Sequence, residues 1–361
     1  MGKFSLLFLA LLFLFIVALR FVLRRDQYNM LLISVTLSFI FAEVVCRWMD
    51  IGNPHVLMWH EDEAVGMADN YHYQPFGKLI YRYPDNPRGY FDTNNSVVGH
   101  INSQGFRGTA VSRNKPKDKK RIIFLGDSFT LGFGVKDEDT LPVNVEKMLN
   151  AQLPFDVEVL NFGVTNTATG DQVRLLENYA LAFHPDVVII VIFLNDAKWG
   201  GTIEFMSRAQ ILISLRQYSY FLNAMIGSVE GLIMHRKMIQ HYLQGYEENS
   251  PGWQSIQTAL EKGKALGKRR HFELLVTVYP VLYHLDQRYP FQKIHQKIAR
   301  FCQNESIRFF DFLQGFNGIR DKDLWVHRTD QHPNNTAQKI AAKSLASYLL
   351  QNRLLDKQHA E

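Results

Sequence analysis

Side chains suited to nucleophilic catalysis follow three apolar runs of the sequence and occur again in one loop. Ser128 follows RIIFLG, Asn161-Phe162-Gly163 follows VEVL, and Asn195-Asp196 follows VVIIVIFL. The segment TDQHPNN near the C-terminus adds Asp330 and His332. A serine hydroxyl becomes an effective nucleophile when a histidine removes its proton, and a carboxylate can orient that histidine. These residue types therefore predict Ser128 as nucleophile, His332 as base and Asp330 as the carboxylate.

The elements that must position these residues alternate along the chain between strands and helices. The apolar patterns predict strands over 121–126, 157–163, 185–196, 272–280 and 307–312, and helices over 140–149, 169–183, about 291–302 and 335–350. Such alternation is typical of a parallel sheet flanked by helices. The carboxyl ends of parallel strands meet at one edge of the sheet, so we expect the polar clusters to converge there.

The same residues resemble the four sequence blocks of the SGNH hydrolases, the GDSL-type esterase and lipase superfamily. Gly126-Asp127-Ser128-Phe129 resembles the first block, Gly163 in NFGVTNTATGDQ the second, Asn195 in FLNDA the third, and DQHPN the last. The resemblance covers about 101–350, and INSQGFRG is similar to the lead-in of membrane-anchored bacterial members. It implies a flavodoxin-like three-layer α/β/α fold.

The resemblance also implies a chemistry for this site. Ser128, His332 and Asp330 would form a catalytic triad that passes through an acyl-enzyme. The backbone N–H groups of Ser128 and Gly163 and the side-chain amide of Asn195 would form an oxyanion hole, which binds the charge that develops on the carbonyl oxygen. We expect no cofactor and no metal ion.

Three positions depart from the family pattern. Phe193 stands where the third block has glycine, and Asn166 stands where the second block often repeats one. The carboxylate of the last block lies two residues before His332, whereas three is common. Asp330 is therefore the least secure triad member, and Asp321, Asp323 or a backbone carbonyl remain alternatives for orienting the imidazole.

Three functions are compatible with these residues. The first is a serine esterase that hydrolyses a short acyl ester. The second is an O-acyltransferase, such as an O-acetyltransferase, that passes the acyl group to an envelope polysaccharide or glycan. Both would use the same catalytic residues, so the sequence does not separate them. The third is a non-catalytic envelope scaffold, against which the presence of Ser128, Asn195 and His332 argues.

The N-terminal region predicts a membrane anchor of two helices over 1–48. Residues 4–23 are apolar over about 20 residues, enough for roughly 30 Å of helix, and 30–45 form a second, shorter apolar stretch. Arg20, Arg24 and Arg25 in the connector favour a cytoplasmic connector, which places the rest of the chain outside, as at a bacterial inner membrane with a periplasmic domain. If the second stretch does not span, this orientation inverts. A cleavable signal peptide is the alternative for the first stretch, but ALRFVLRRD lacks a small-residue cleavage site.

Composition and turn signals define the remaining organisation. The chain has 361 residues, of which 47% are hydrophobic and 21% charged, with a net charge of +5. Since that charge is not concentrated in a basic tract, we expect no nucleic-acid partner, and Cys46 and Cys302 do not suggest a disulfide framework.

The pattern of residues 49–115 predicts a β-rich connecting segment, and residues 116–355 are predicted to form the catalytic domain. Its helical insertion, 200–268, is predicted to be a cap or a packed helix pair, with a third membrane element as the alternative. Besides an acyl ester, the expected partners are the membrane and a carbohydrate.

Overall fold

A computed structural model of the protein describes residues 23–49, 51, 60–62, 72–197, 218–285 and 289–356. The chain divides into two compact units. The first consists of Met1–Leu57 and Gly200–Met238, and the second of Met58–Trp199 and Ile239–Glu361. All the residues predicted to form the site belong to the second unit.

The strands and helices of the described residues follow in chain order. The strands are β1 (His60–Asp62), β2 (Lys78–Arg82), β3 (Ser96–His100), β4 (Lys119–Gly126), β5 (Asp156–Gly163), β6 (Val187–Ile192), β7 (Glu273–Val278), β8 (Arg308–Asp311), β9 (Trp325–His327) and β10 (Asp330–Pro333). The helices are α1 (Arg25–Trp48), α2 (Ser128–Leu131), α3 (Leu141–Asn150), α4 (Thr169–Asn178), α5 (Tyr220–Gly245), α6 (Pro251–Arg270), α7 (Gln292–Asn304) and α8 (Asn335–Gln351).

Five parallel strands form the central sheet, in the order β5-β4-β6-β7-β8. This is the strand order of flavodoxin-like folds, so the predicted fold class is confirmed. Strand β6 is buried along its whole length, as expected for a β-branched run covered by helices on both faces. The register places Gly126 of β4 level with Gly163 of β5 and Val191 of β6. The polar residues after these strands therefore emerge at one edge of the sheet.

Helices cover the two faces of this sheet. Helix α3 packs against α8, and α4 packs against α6. Helix α6 begins within the predicted insertion 200–268 and ends two residues beyond it. It connects β6 to β7 as a crossover helix does, with Gly263 facing Ile190 and Leu274. The predicted helix over 169–183 ends at Asn178 and continues as a 3₁₀ turn, because Tyr179 leaves the helical conformation.

The residues before the central sheet form a small antiparallel sheet in the order β1-β2-β3. Strands β2 and β3 pair from Lys78 with His100 to Arg82 with Ser96. Downstream, Arg107 makes isolated bridges to Ile101 and to Asn161, the latter in β5 of the central sheet. This part of the chain thus contacts the strand that precedes Gly163.

In the first unit, α1 contains the second predicted membrane segment, 30–45. Over the described residues it is the one helix long and apolar enough to cross a bilayer, a test that a signal sequence also passes. Its side chains are mostly exposed, Phe41 by 70%. Near its C-terminal end, Glu43 binds Arg47 at 2.7 Å and accepts hydrogen bonds from the backbone N–H groups of Tyr220 and Phe221. The first predicted segment, 4–23, lies outside the described residues except for residue 23.

Candidate active site

The backbone after β4 presents Ser128 at the edge of the sheet. The strand ends at Gly126, and Ser128 is the first residue of the short helix α2. The Asp127 side chain caps this helix by accepting the Phe129 N–H at 2.9 Å. Gly132 ends the helix with φ of 85°, a left-handed conformation that glycine adopts without strain. Ser128 is half-buried, so its hydroxyl lies at the rim of the sheet.

His332 lies between Ser128 and Asp330. Its Nε2 atom is 2.9 Å from the Ser128 Oγ atom, and its Nδ1 atom is 2.6 Å from Asp330 Oδ1. The His332 backbone N–H also donates to Asp330 Oδ1, at 3.0 Å. These distances are those of hydrogen bonds, so the structure brings the three residues predicted as a triad into one chain of contacts.

Asp330 is buried, with 2% of its surface exposed. Burial alone would raise the pKa of its carboxyl, but the His332 imidazole and the donors around it outweigh burial and lower the pKa below its usual value. One of these donors is the Tyr83 hydroxyl, which lies 2.8 Å from Asp330 Oδ2. The carboxylate therefore stays ionised near neutral pH, as is required to stabilise a protonated imidazole.

The alternative carboxylates have other partners. Asp321 accepts the backbone N–H of His284 at 3.0 Å. Asp323 forms an ion pair with Arg320, also at 3.0 Å. The contact with the His332 ring is made by Asp330.

Aromatic side chains hold the imidazole in place. The Phe133 ring stacks on His332 with 4.3 Å between ring centroids, and the Phe129 ring lies at 5.4 Å. Phe193, which stands where the family pattern has glycine, stacks on Phe129 at 3.9 Å. Phe129 and Phe193 therefore form a stacked pair of phenyl rings, and Phe129 lies beside the imidazole.

Asn195 lies in the 3₁₀ turn after β6, and its amide is oriented by a carboxylate. The Asn195 Nδ2 atom donates to Asp127 Oδ2 at 3.3 Å, which leaves a second N–H on the same nitrogen. The Asn195 Oδ1 atom is buried without a hydrogen-bond partner among the described residues. The carboxylate of the residue before Ser128 thus holds the nitrogen of Asn195 at the end of β6.

The sequence predicts that the Gly163 N–H is open to the substrate, but in the structure this N–H has a partner within the protein. That N–H donates to the Asn161 side chain at 2.9 Å. A Cβ atom at Gly163 would lie 2.2 Å from the backbone nitrogen of Leu131, inside α2. Asn161 also donates to the Leu131 carbonyl oxygen at 3.3 Å. In this conformation Gly163 lets α2 approach β5, and its N–H is already engaged.

Arg107 also contributes to this site, although the sequence motifs assign it no role. It lies in INSQGFRG and is 2% exposed. Its guanidinium donates to the carbonyl oxygens of Leu131, Gly132 and Val135 at 3.1, 2.5 and 2.6 Å, and to Asp137 at 2.8 Å. Arg107 therefore holds the turn that follows α2, and through it the position of Ser128.

Tyr242, near the end of α5, borders the same region. Its ring lies 6.4 Å from that of Phe193 and 5.4 Å from that of Phe291. Burial, reinforced by the negative charge of Asp127, raises the pKa of Tyr242 to about 12. Its hydroxyl is therefore neutral at physiological pH. Over the described residues no cluster of three or more histidine, cysteine or acidic side chains could hold a metal ion.

Comparison with known proteins gives a family match for this region. The model of the GDSL-like lipase/acylhydrolase family matches residues 124–340, which is more than half of the chain. This range includes Ser128, Gly163, Asn195, Asp330 and His332. No curated protein matches the chain.

Several solved structures are similar to about two thirds of this chain. A lipolytic protein of the G-D-S-L family from Desulfitobacterium hafniense is 13% identical, covers 65% of this chain and 99% of its own, and gives a TM-score of 0.41. TesA is 15% identical, with coverages of 65% and 100% and a TM-score of 0.42. The lipase/acylhydrolase from Enterococcus faecalis is 15% identical, with coverages of 66% and 99% and a TM-score of 0.41.

Proposed function

Because the chain belongs to the GDSL-like lipase/acylhydrolase family, whose members act on ester bonds, we propose that it is a membrane-anchored serine esterase. Its substrate is the ester of a short acyl group. Ser128 is the nucleophile, His332 the general base and Asp330 the carboxylate that orients it. The observation that carries this proposal is the imidazole of His332, which lies within hydrogen-bond distance of both Ser128 Oγ and Asp330 Oδ1.

The first half of the reaction acylates Ser128. The Ser128 oxygen attacks the ester carbonyl carbon while its proton passes to His332 Nε2. Asp330 accepts a hydrogen bond from Nδ1–H, without taking the proton, and stabilises the positive imidazolium. When the tetrahedral intermediate collapses, the carbon–oxygen bond to the leaving alcohol breaks, and His332 returns the proton to that oxygen. In the second half, His332 takes a proton from a water molecule, whose oxygen attacks the acyl carbon; the bond from that carbon to Ser128 Oγ then breaks, the proton passes to Oγ, and the free acid leaves.

The negative charge on the tetrahedral oxygen needs hydrogen-bond donors. We assign this role to the backbone N–H of Ser128 and to the free N–H of the Asn195 amide, which Asp127 orients. The third predicted donor, the Gly163 N–H, can join them only by leaving the Asn161 side chain.

The preference for a short acyl group is supported by the rings beside the nucleophile. Phe129 and Phe193 stack at 3.9 Å, and both are nearly fully buried. A long acyl chain directed toward this pair would have to displace one of the rings, whereas an acetyl group would not reach them.

The membrane anchor consists of α1 and the apolar segment 4–23 before it. Helix α1 has 24 residues, about 36 Å of helix, and its apolar side chains are exposed, as those of a lipid-facing helix would be. The arginines between the two segments favour a cytoplasmic connector. The catalytic unit then lies outside the cytoplasm, where envelope polysaccharides carry acyl esters.

The experiment that tests the nucleophile is labelling with a fluorophosphonate, applied to intact cells that produce the wild type or Ser128→Ala. We expect the wild type to be labelled and the variant not, and labelling by a membrane-impermeant probe would place the site outside the cytoplasm. A folded wild-type protein that resists the probe would contradict the assignment. Acyl-enzyme turnover with and without a glycan acceptor then tells hydrolysis from acyl transfer, because a transferase gives faster turnover with the acceptor.

A further inference from the structure

We propose that Tyr83 is a positioning residue of this active site: its hydroxyl fixes the Asp330 carboxylate and, through it, the orientation and basicity of His332. This inference rests on the proposed function. Tyr83 lies outside the range matched by the family model, in the segment before the central sheet. The parts of the chain that resemble other family members would then not complete the triad by themselves.

The two oxygens of Asp330 have separate partners. Oδ1 accepts from the ring and from the backbone N–H of His332. Oδ2 accepts from the Tyr83 hydroxyl at 2.8 Å. A carboxylate held at both oxygens cannot rotate about its Cβ–Cγ bond without losing a hydrogen bond. Tyr83 therefore sets the direction from which Asp330 meets the imidazole.

Tyr83 is itself held rigidly. Its backbone N–H donates to the Asn95 carbonyl oxygen at 3.0 Å. Its ring stacks on Phe91 with 4.5 Å between centroids and 11° between planes. A Cβ atom at Gly134 would lie 2.4 Å from the Tyr83 hydroxyl oxygen, which is too close for a side chain. Gly134 also has φ of 71°. Only glycine leaves room there for the hydroxyl to reach Asp330.

A second contact joins the same segment to the same hairpin. Strands β9 and β10 pair so that His327 stands opposite Asp330. Asp85, two residues after Tyr83, lies 2.5 Å from His327 Nε2. The pair of contacts attaches the hairpin that carries Asp330 and His332 at two adjacent points.

Loss of the Tyr83 hydroxyl has a predictable electrostatic effect. The donor disperses part of the negative charge of Asp330. Without it, more of that charge acts on the imidazolium, so the pKa of His332 rises. The charged or titratable groups that face the pair include Tyr83 itself, Ser128 from α2, and His327 with Asp85 across the hairpin. None of the others is altered when tyrosine is replaced by phenylalanine.

The test compares wild type, Tyr83→Phe, Asp330→Asn and the double variant. Phenylalanine keeps the ring that stacks on Phe91 and removes only the hydroxyl. Histidine NMR reports the pKa of His332 without any substrate, and steady-state kinetics on an aryl acetate reports kcat and KM. We expect Tyr83→Phe to raise the pKa of His332 by about half a unit and to lower kcat about tenfold with KM unchanged. In the Asp330→Asn background, Tyr83→Phe should cause no further loss of kcat.

The matched control is Tyr90→Phe. Tyr90 belongs to the same segment and also donates to a carboxylate, that of Asp139 at 2.7 Å, without contacting the triad. The Tyr90→Phe variant should therefore have the same kcat and the same pKa of His332 as the wild type. Fluorotyrosine at position 83 is a second variant that keeps the hydrogen bond. Its more acidic hydroxyl donates more strongly, so it should lower the pKa of His332.

Three results would overturn the inference: an unchanged pKa of His332 in Tyr83→Phe, a loss of kcat that is equally large in the Asp330→Asn background, or a change confined to thermal stability. Failure of the proposed function looks different. In that case the wild type shows neither turnover nor fluorophosphonate labelling, while the NMR shift still reports whether Tyr83 acts on His332.

Discussion

Replacing Gly163 by alanine tests how closely α2 must approach β5 for Ser128 to reach His332. Alanine keeps the backbone N–H, so any effect of Gly163→Ala comes from the added methyl group. The new Cβ atom would lie 2.2 Å from the Leu131 nitrogen and 2.7 Å from its Cα atom. Ordinary van der Waals contact begins at 3.4 Å, so α2 and β5 must separate by about 1.2 Å.

A shift of this size exceeds the tolerance of the hydrogen bond between Ser128 and His332. At 2.9 Å the contact is close to ideal, and an extra ångström breaks it. Displacements of about 1 Å can cost roughly a hundredfold in rate, so we expect kcat to fall by about that factor. Overpacking of the buried contact should also lower the free energy of unfolding by about 1–3 kcal/mol. The assay is the hydrolysis of an aryl acetate, with thermal unfolding measured on the same sample.

The matched control is Gly170→Ala, at the start of α4. There the nearest atom to a new Cβ is 3.6 Å away, and alanine favours the helix. This variant should keep its kcat and be as stable as the wild type or more stable. If Gly163→Ala is folded and retains wild-type kcat, the close approach of α2 to β5 does not position the nucleophile.

Three further predictions concern the other site residues. Asn195→Ala should lower kcat about a hundred- to a thousandfold with little change in KM, since its amide acts on the transition state; an effect on KM alone would contradict that role. Asp330→Ala should reduce kcat far more than Asp321→Ala, because Asp330 contacts the imidazole; the reverse order would reassign the triad carboxylate. The folded-state pKa of Asp330 is lowered, so its contribution to stability is present above the unfolded pKa of about 3.9 and lost as the pH falls below it. The difference in unfolding free energy between wild type and Asp330→Asn should therefore shrink in acid, as urea unfolding at several pH values can show.

The sheet was predictable because apolar periodicity is a local signal. The run 185–196 is almost continuously β-branched, and the structure has the buried strand β6 within it. The predicted helix over 140–149 is α3, Leu141–Asn150. Once the strands are known to be parallel, the side chains that follow β4 and β6 must emerge at one edge, so the proximity of Ser128 and Asn195 follows from topology.

The contacts from the segment before the sheet could not be predicted in this way. Tyr83 and Asp330 are 247 positions apart, and nothing in YRYPDN distinguishes a tyrosine that binds a carboxylate from one that packs in a core. Arg107 was visible as part of INSQGFRG, but its role depends on carbonyl groups that only the folded turn after α2 presents. The engagement of the Gly163 N–H likewise depends on the rotamer of Asn161, which no sequence pattern specifies.

The unusual spacing of the last block is explained by backbone conformation. In a β-strand, residues i and i+2 point to the same side. Asp330 and His332 stand in β10, where Gln331 between them is exposed. Their side chains therefore lie next to each other, and Asp330 Oδ1 reaches both the ring and the backbone N–H of His332. A three-residue spacing would place the carboxylate on the opposite side of such a strand. The two-residue spacing is thus the one that places both side chains on one side of β10, and the pairing with β9 holds Asp330 opposite His327 before its register shifts between Asp330 and Pro333.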